Sequence, residues 1–579
     1  MKKDLKEFIP LWNLIKEEKG KLIFASVLIF IVELSYILAG YLNGSAIESI
    51  TNLELKKALI FLGIYVILEI FLDGFIYSYA SAKLQEIESK LTRKLGFNSY
   101  KKALDLPAYA YEKTSSGEII NRITNDADTL SFVFGQLLSM FSSTVGSVIL
   151  IFYIFYNSWI VGVEILVFML ILYLIIRKYN PKLKEAHKQR KEGQDKFTTL
   201  TNESVRGIRE IKTLGIKNNL IDDMLEIVKN LFDKSKKEIN IRKKYDVTVR
   251  ILKAILEVGV FATCVFLLYY KMTSLTFFIA MTYYVYRYMW LIQNLNEFSQ
   301  MYQKLVVSLS RVNEILENKL YNDEIFGEKE IRKCDGVLEF KKVCFAYPDE
   351  EPILNNFNLK LEPNKKIAIV GKSGQGKSTL FNLITRIFDP TSGEITLDGI
   401  NIKDLTEANL RKHISIIRQD PFIFNRTIKE NFKIVNKKIT INKIREYTKL
   451  AYLDEYIMSL PDNYNTKLGE GGVNLSGGQK QRLSIARGLA KESKIILFDE
   501  ATSALDNSSQ EYIKKAIDNL VKDHTVVIVA HRLSTIIDAD IIYMVDAGKV
   551  VASGTHEELL KTNKIYKKLY TTETLNSKE

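Results

Sequence analysis

The sequence predicts a protein of two parts, a membrane all-α domain followed by an α/β domain. Apolar runs of about 20 residues, the length that crosses a bilayer, occur several times before residue 300 and not after it. Beyond residue 336, short runs rich in β-forming residues alternate with helical patterns, which favours a largely parallel core sheet. The length of 579 residues also exceeds that of one ordinary domain.

The first part is predicted to contain six transmembrane helices with long cytoplasmic extensions. The predicted spans cover residues 21–42, 57–81, 131–156, 159–178, 249–270 and 274–297. An even number of spans places both termini on the same side, and the loops on the other side (43–56, 157–158 and 271–273) are short. The segments 82–130 and 179–248 are charged and have helical periodicity, so we expect helices that continue beyond the bilayer.

The domain boundaries follow from a change in sequence texture. Residues 1–318 are predicted as the transmembrane domain, 319–336 as a polar linker and 337–579 as the α/β domain. The strands of the α/β domain are expected in "VLEFKKVCFAY", "KIAIVG", "ISIIRQ", "KIILFDE" and "TVVIVAH". The stretch "IIYMVDAGKVVASG" predicts a hairpin whose turn contains Ala547–Gly548.

The net charge of +13 does not indicate nucleic-acid binding. Much of the Lys and Arg lies in 178–245, between apolar runs, where positive charge ordinarily orients transmembrane helices. No nucleic-acid reading motif is recognisable, so we predict no nucleic-acid partner. The three cysteines lack metal-ligand spacing, which is typical of thiols in a reducing compartment. The basic, amphipathic N-terminus predicts an interfacial helix rather than a signal peptide.

A phosphate-binding loop is predicted between the strand "KKIAIV" and the helix "STLFNLITRIF". Gly371 and Gly376 let backbone N–H groups converge on phosphates, Lys377 can reach the terminal phosphates and Ser378 can hold Mg²⁺. The α/β domain is therefore predicted to be a P-loop NTPase that binds ATP with Mg²⁺. The predicted nucleotide-binding residues here are Gly371, Lys372, Ser373, Gly374, Gln375, Gly376, Lys377, Ser378 and Thr379.

Four further polar residues are candidates for hydrolysis, although each has an ordinary structural explanation. Asp499 ends the apolar strand "KIILFD" and suits Mg²⁺, while the adjacent Glu500 suits a base for the attacking water. Taken alone, such acids often cap a helix or lie in a solvated turn. His531 closes the strand "TVVIVAH", where a lone histidine is usually structural. Gln419 could contact both metal and water, or be a polar loop residue.

In order and strand placement, these motifs resemble those of the ATP-binding cassette (ABC) transporters, specifically exporters with six spans and one cassette per chain. The resemblance covers nearly all 579 residues. It implies that Tyr347 in "FAYP" stacks on adenine and that Gln419 senses metal and water. It also implies that "LSGGQ" (475–479) is the family signature, Asp506 in "SALD" the D-loop aspartate and His531 the switch histidine that contacts the γ-phosphate.

The resemblance also implies contacts between cassette and membrane domain. The loop "TKLGEGG" (466–472) is similar to the loop that touches the membrane domain, and short coupling helices are expected near 107–117 and 211–219. Two residues depart from the family pattern. Arg418 stands where an apolar or small residue is usual, and Arg426 stands where glycine is common. Neither removes a catalytic group, but both are expected to bear on coupling.

The signature supplies a second anion-binding helix N-terminus, which points to a dimer. Facing a second cassette head to tail, Ser476, Gly477, Gly478 and Gln479 would reach the partner's γ-phosphate. Because Glu500, His531 and the signature are all intact, neither site is marked as degenerate. A homodimer is therefore favoured over a heterodimer.

Ionisable residues within the predicted spans are candidates for substrate binding. Glu33 lies in the first span, Glu69 and Asp73 share a face of the second at i, i+4, and Arg287 lies in the sixth. If the acids line a central cavity, an amphipathic cation is a plausible cargo. Alternatively, Arg287 and Lys253 neutralise them in structural pairs. The sequence leaves both interpretations open.

The sequence thus predicts a homodimeric, ATP-driven exporter in a bacterial plasma membrane, with cassette and termini in the cytoplasm. The cargo could be a drug-like amphipath, a peptide or a lipid. One alternative is an ATP-gated or regulatory membrane protein, against which the intact Glu500 argues because gating alone does not need rapid hydrolysis. An importer on the same scaffold is the other alternative.

Overall fold

The structure is a computed structural model of the chain. It describes residues 16–114, 116–317, 324–348, 350–372, 374–469, 472–499, 507–530 and 536–576. The chain divides into two compact units. The membrane unit comprises Met1–Asp105 and Ser115–Leu320, and the cassette unit comprises Leu106–Thr114 and Tyr321–Glu579.

The described residues before 318 form helices joined by short turns. The α-helices are α1 (Lys19–Thr51), α2 (Leu55–Leu68), α3 (Ser78–Leu104), α4 (Ala110–Lys113), α5 (Ser116–Asn121), α6 (Ala127–Asn157), α7 (Trp159–Arg206), α8 (Ile208–Leu214), α9 (Lys217–Tyr269) and α10 (Leu275–Leu316). A 3₁₀ turn, Lys16–Glu18, precedes α1. Two π-helical segments, Glu69–Tyr77 and Arg122–Asp126, join α2 to α3 and α5 to α6.

The apolar helices confirm the predicted membrane all-α domain. In the described residues, five helices are long and apolar enough to cross a bilayer: Lys16–Thr51, Leu55–Leu104, Ser116–Asn157, Trp159–Arg206 and Lys217–Tyr269. The predicted sixth span, 274–297, falls within α10, whose apolar part recorded here is the shorter Leu275–Val285. The sixth crossing therefore stays a prediction.

The long helical extensions are present, but one predicted loop is wrong. The helix α7 has 48 residues and α9 has 53, so at about 1.5 Å per residue both far exceed the ~30 Å hydrocarbon core. The predicted loop 43–56 is mostly helix, because α1 continues to Thr51. Its residues Gly44 and Ala46 are buried by packing, which keeps the helix regular beyond the apolar run.

The helices α1 and α10 approach each other very closely along a pair of glycines. A Cβ atom on Gly44 would lie 2.2 Å from the backbone oxygen of Thr276, and one on Gly40 would lie 2.4 Å from the Tyr284 ring. Small residues four apart permit this close packing of membrane helices. Near the end of α1, Glu48 accepts a hydrogen bond from the Thr276 N–H (2.9 Å) and another from its hydroxyl.

The cassette unit alternates strands and helices. Its strands are β1 (Leu338–Ala346), β2 (Pro352–Leu361), β3 (Lys366–Val370), β4 (Ser392–Leu397), β5 (Ile400–Asn401), β6 (Ile414–Ile417), β7 (Ile495–Asp499), β8 (Thr525–Val529), β9 (Ile541–Asp546) and β10 (Lys549–Gly554). Its helices are α11 (Lys377–Ile384), α12 (Glu407–His413), α13 (Ile428–Lys433), α14 (Ile441–Leu450), α15 (Asp454–Ser459), α16 (Gly477–Leu489), α17 (Asn507–Leu520), α18 (His556–Thr562) and α19 (Lys564–Asn576). A 3₁₀ turn, Asn463–Asn465, follows α15.

The strands form two sheets, which confirms the predicted α/β class and adds to it. The six-stranded sheet has the order β10-β9-β3-β8-β7-β6, and all its neighbours pair in parallel except β10 with β9. The predicted hairpin is confirmed, with Ala547 and Gly548 at positive φ in its turn. The segment "LEFKKVCFA" belongs instead to a separate antiparallel sheet, β2-β1-β4-β5, which the alternation pattern did not reveal.

Two further segments belong to the cassette unit. Residues 324–336, part of the predicted linker, lie against it: Lys329 forms a β-bridge with Leu405, and Ile331 is buried in its core. Residues 106–114, which overlap the coupling helix predicted near 107–117, also belong to this unit, and the Tyr109 ring centroid lies 6.1 Å from that of Phe388. The coupling role of this segment stays a prediction.

Candidate functional site

The predicted phosphate loop follows the fully buried strand β3 and closes around its lysine. Gly374 and Gly376 adopt positive φ values of 79° and 81°, which only glycine adopts without strain. The helix α11 begins at Lys377, whose side chain is buried and whose Nζ donates to the carbonyl oxygens of Gly371 and Lys372, both at 2.8 Å. The loop thus encloses a cation at a helix N-terminus, the arrangement that binds phosphate. The predicted residue Ser373 lies outside the described residues.

Two of the predicted metal ligands meet at the mouth of this loop. The Ser378 hydroxyl donates to Asp499 Oδ1 at 3.3 Å, because α11 and the end of β7 converge there. A hydroxyl and a carboxylate are oxygen ligands of the kind that Mg²⁺ prefers, so the pair fits that ion. The third predicted ligand, Gln419, is solvent-exposed, and its backbone oxygen accepts a hydrogen bond from Gln481 Nε2 at 2.9 Å.

Tyr347 packs beside the phosphate loop within a small aromatic group. Its ring centroid lies 4.9 Å from Phe345 and 5.0 Å from Phe388, with both pairs edge to face. Its hydroxyl lies 3.2 Å from Thr379 Oγ1 and accepts from Asn382 Nδ2 at 3.3 Å. The structure therefore brings two predicted nucleotide-binding residues, Tyr347 and Thr379, into contact. Stacking of Tyr347 on adenine stays a prediction.

A link between the phosphate loop and the β9–β10 turn was not predicted. The Ala547 N–H donates to Gln375 Oε1 at 2.6 Å, and the Gly548 carbonyl accepts from the Asn355 N–H at 3.3 Å. The side chain of Gln375 thus ties the phosphate loop to the hairpin turn. Nothing in the loop pattern requires a long side chain at this position, so pattern reasoning had no signal for the link.

The signature residues form a capping box at the start of α16. The Gln479 N–H donates to Ser476 Oγ (3.2 Å), and the Ser476 N–H donates to Gln479 Oε1 (2.8 Å). These two side chains therefore satisfy two of the backbone N–H groups at the helix N-terminus. Ser476 and Gly477 are solvent-exposed whereas Gly478 is buried. The end of the helix is therefore accessible at the surface of the cassette unit.

Three predicted catalytic or nucleotide-contacting residues have no described geometry. Glu500, Asp506 and His531 lie outside the described residues, although β7 and β8 lead to Glu500 and His531. The two departures from the family pattern are described. The carbonyl of Arg418 accepts from Gln481 Nε2 at 3.1 Å, and that of Arg426 accepts from the Leu468 N–H at 3.0 Å. Arg426 is thereby joined to the predicted 466–472 loop.

A basic cavity lies on the cassette surface away from the phosphate loop. Its lining includes Arg411, Arg487 and Lys491, and its volume is about 400 Å³. Lys491 Nζ donates to the Ile414 carbonyl at 2.7 Å. Burial, helped by the nearby charge of Arg411, lowers the pKa of Lys491 to about 8.

The membrane unit pairs one of its predicted acids with the predicted arginine. Glu33 of α1 forms an ion pair with Arg287 of α10 and accepts a hydrogen bond from Ser143 Oγ of α6 at 2.6 Å. The guanidinium carbon of Arg287 lies 4.5 Å from the centroid of the Tyr36 ring. The structural-pair interpretation is therefore right for Glu33. Lys253 instead lies 3.6 Å from Glu257, on its own helix.

The other two predicted acids lie in the π-helical segment Glu69–Tyr77. Asp73 Oδ1 accepts from the Tyr36 hydroxyl at 2.9 Å. Glu69 and Asp73, predicted to share one helix face at i, i+4, both lie in this π-helical segment, and their shared role stays a prediction. In the described part of the chain, a cavity of about 680 Å³ is lined by Asp73 but not by Glu69. Its lining residues are Val32, Glu33, Tyr36, Asp73, Tyr77, Thr282, Tyr283 and Arg287.

Comparison with protein families identifies the class of this molecule. The family model "ABC transporter transmembrane region" matches residues 22–294, and the model "ABC transporter" matches residues 354–503. The chain belongs to the ABC transporter family. It is a membrane protein of the exporter type, with an ATP-binding cassette and ATPase activity coupled to transport.

Individual relatives match along the whole chain. The ATP-dependent lipid A-core flippase of Haemophilus influenzae (strain 86-028NP) is 30% identical, covering 98% of this chain and 97% of the relative. YgaD of Bacillus subtilis (strain 168), an ATP-binding/permease protein named for multidrug export, is 33% identical, covering 96% of this chain and 97% of the relative. The structure of a bacterial Atm1-family ABC exporter with ATP bound superimposes with a TM-score of 0.79 at 23% identity, covering 96% of this chain and 98% of that one, which shows a shared fold.

Proposed function

We propose that this protein exports an amphipathic substrate across the plasma membrane by alternating access in a homodimer driven by ATP hydrolysis. The observation that carries the proposal is the phosphate loop, which encloses Lys377 and places Ser378 beside Asp499 in the same chain as a polar membrane cavity. Relatives named for lipid A-core flipping and for multidrug export support an amphipathic cargo.

The dimer is supported by the geometry of the signature. The helix α16 has an exposed N-terminus whose backbone N–H groups suit an anion. Lys480 is the one cationic side chain in its first turn. The phosphate loop has a helix N-terminus of its own. A second cassette facing the first would bring each signature to the γ-phosphate held by the other chain.

Each cassette residue has a distinct task in the proposed mechanism. Lys377 and the loop N–H groups hold the phosphates, and Ser378, Asp499 and Gln419 would hold Mg²⁺, which neutralises phosphate charge when bound. Glu500 would accept a proton from the attacking water and His531 would contact the γ-phosphate. Closure of the two cassettes around ATP favours one orientation of the membrane helices, and hydrolysis restores the other.

The test is transport into proteoliposomes whose cassettes face outward. Wild type and Glu500→Gln would be compared with fluorescent cationic, zwitterionic and anionic amphipaths, including a labelled phospholipid. We expect ATP-dependent accumulation of at least one probe by wild type, and an about 10²–10⁴-fold slower ATP turnover in Glu500→Gln, because a general base is lost. The variant should still form ATP-bound dimers in size-exclusion chromatography.

Other results would support the alternatives. Accumulation only when the cassettes face inward would indicate an importer. Brisk ATPase activity with no movement of any probe would remove the evidence for amphipath export. Undiminished turnover in Glu500→Gln would refute the role of this residue as the base. The matched control is Glu492→Gln, an exposed carboxylate at the end of the α16 region.

A further inference from the structure

The membrane cavity contains an ion pair whose charges already cancel. Arg287 is directed to Glu33, and Glu33 also accepts from the Ser143 hydroxyl. The side chains of Glu33 and Arg287 are only 9% and 13% exposed, so this pair forms a fixed wall rather than a binding surface. An anionic headgroup would need the guanidinium of Arg287, which is committed to Glu33.

Asp73 adds a further carboxylate to the lining of the same cavity. In the described residues its hydrogen-bond partner is the neutral Tyr36 hydroxyl at 2.9 Å, and no cationic side chain pairs with it. A neutral donor orients a carboxylate without cancelling its charge. The formal charges of the acidic and basic lining residues, Glu33, Arg287 and Asp73, therefore add up to −1.

Besides Val32 and Thr282, the remaining lining residues of the cavity are aromatic. Tyr36 and Tyr283 lie with ring centroids 6.5 Å apart, and Tyr77 adds a third ring that is 41% exposed. Tyrosine faces attract organic cations through the ring quadrupole and also bury apolar groups. The Tyr36 ring already faces the Arg287 guanidinium, so Tyr77 and Tyr283 are the rings available to a cation that carries its own apolar surface.

The backbone gives an independent indication that this region is specialised. Asp73 and Tyr77 lie within the nine-residue π-helical segment Glu69–Tyr77. π-Helical turns are rare and often occur at functional sites, and irregular backbone within a membrane helix is tolerated where it lines a cavity. Here it lies where the second helix reaches the cavity.

We propose that this cavity binds a monovalent amphipathic cation, with its charge facing Asp73 and its apolar part between Tyr77 and Tyr283. This substrate class rests on the proposed export function. The Glu33–Arg287 pair is a neutral wall of the site, and Tyr36 holds the Asp73 carboxylate toward the ligand.

The test uses two ions of nearly the same shape and opposite charge, tetraphenylphosphonium and tetraphenylborate. Their dissociation constants are measured with purified full-length protein in nanodiscs, with empty nanodiscs subtracted. Comparing each variant with wild type, one probe at a time, cancels the difference in how the ions partition into lipid. The variants are Asp73→Asn, Asp73→Glu and Tyr36→Phe, with Glu257→Gln as the control because Glu257 pairs with Lys253 on α9.

We expect Asp73→Asn to weaken tetraphenylphosphonium binding about tenfold and to leave tetraphenylborate binding unchanged or tighter, because only the cation loses a charge partner. Asp73→Glu should keep most of the affinity, which would separate loss of charge from misfolding. Tyr36→Phe keeps the ring but loses the hydroxyl, so we expect a weaker effect. Glu257→Gln should bind both ions like wild type.

Two results would overturn the inference. Equal weakening of both ions in Asp73→Asn would indicate a structural role, and tighter binding of tetraphenylborate than of tetraphenylphosphonium after lipid correction would indicate an anion site. Either result leaves the export proposal standing if ATP-driven transport of another amphipath persists. Conversely, Asp73-dependent cation binding without ATP-driven transport of any probe would support the site and refute export.

Discussion

The two helix N-termini of the cassette differ in how they are prepared for an anion. At α11 the glycine loop wraps around the buried Lys377, and a hydroxyl and a carboxylate stand beside it. At α16 the end is exposed, and Ser476 and Gln479 close it with a capping box. The first end has a buried lysine and candidate metal ligands, whereas the second has the N–H groups that the capping box leaves open and the side chain of Lys480. This difference agrees with the proposal that the first end holds a nucleotide and that the second completes a site held by another chain.

The difference between the two helix ends can be tested with a dimer that carries one substitution in each chain. Lys377→Ala and Ser476→Arg should each reduce ATPase activity by about 10²-fold or more as homodimers, because each removes phosphate stabilisation from both sites. In a mixed dimer of the two variants, a head-to-tail arrangement places both lesions in one site and leaves the other intact. We therefore expect the mixed dimer to regain about half of the wild-type activity.

The mixed dimer is isolated with a different affinity tag on each chain, and its ATPase rate is measured per dimer. Ser476→Ala is the control for the arginine, since it loses the cap but adds no bulk, at a cost of about 1 kcal/mol in helix stability. If the mixed dimer is as inactive as the two parents, each site is built within one chain, and the division of labour between α11 and α16 is wrong.

The second prediction concerns how the phosphate loop is held. Gln375→Met keeps the length of the side chain but removes the acceptor for the Ala547 N–H. Losing one hydrogen bond that anchors the loop should raise the KM for ATP about threefold to tenfold with little change in kcat. The exposed Lys549→Met on the same hairpin is the control and should have a wild-type KM. A lower kcat at unchanged KM would mean that the link serves turnover rather than nucleotide binding.

The smallest expected effect is a pH dependence of cassette stability from Lys491. Its pKa is about 8 in the folded protein, whereas an unfolded lysine titrates near 10.4, so the unfolded chain binds the extra proton between these values. Stability from this group therefore rises as pH increases from about 8 to about 10.4. Relative to Lys491→Met, the melting temperature of the detergent-solubilised wild type should rise by about 2–4 °C over that range.

The control for this measurement is Lys412→Met, at an exposed position near the same strand. Its melting temperature should follow that of wild type at every pH, because removing an exposed charge leaves the buried Lys491 in place. If wild type and Lys491→Met have parallel pH profiles, the charge of Lys491 is not destabilised by burial.

The cassette could be predicted from sequence more fully than the membrane unit because its motifs specify backbone conformation. Glycines at 374 and 376 require positive φ, and serine followed three residues later by glutamine specifies a capping box. The antiparallel sheet was missed, since pairing of β1 with β2 and β4 depends on contacts that alternation does not encode. The Gln375 link was missed because its partner is a backbone N–H distant in sequence.

In the membrane unit the sequence showed which groups are charged but not which of them meet. Glu33 pairs with Arg287 because α1 and α10 pack closely, and no local pattern encodes that pairing. The π-helical segment also has no sequence signature, so its backbone conformation was not predicted. One usable signal was overlooked: Gly40 and Gly44 are four residues apart, the spacing that allows close approach of membrane helices.

The close packing at Gly40 and Gly44 also affects how a molecule dissolved in the bilayer could reach the cavity. Because the Tyr284 side chain packs against Gly40 and the Thr276 backbone packs against Gly44, α1 and α10 leave no room for an acyl chain between them at these two positions. The π-helical segment contributes Asp73 and Tyr77 to the cavity, and Phe71 and Phe75 of the same segment are more than half exposed. A hydrophobic molecule that approaches from the bilayer would therefore meet tightly packed helices where α1 contacts α10. At the π-helical segment it would meet exposed aromatic side chains. This difference in packing favours entry of a substrate from the bilayer beside the second membrane helix.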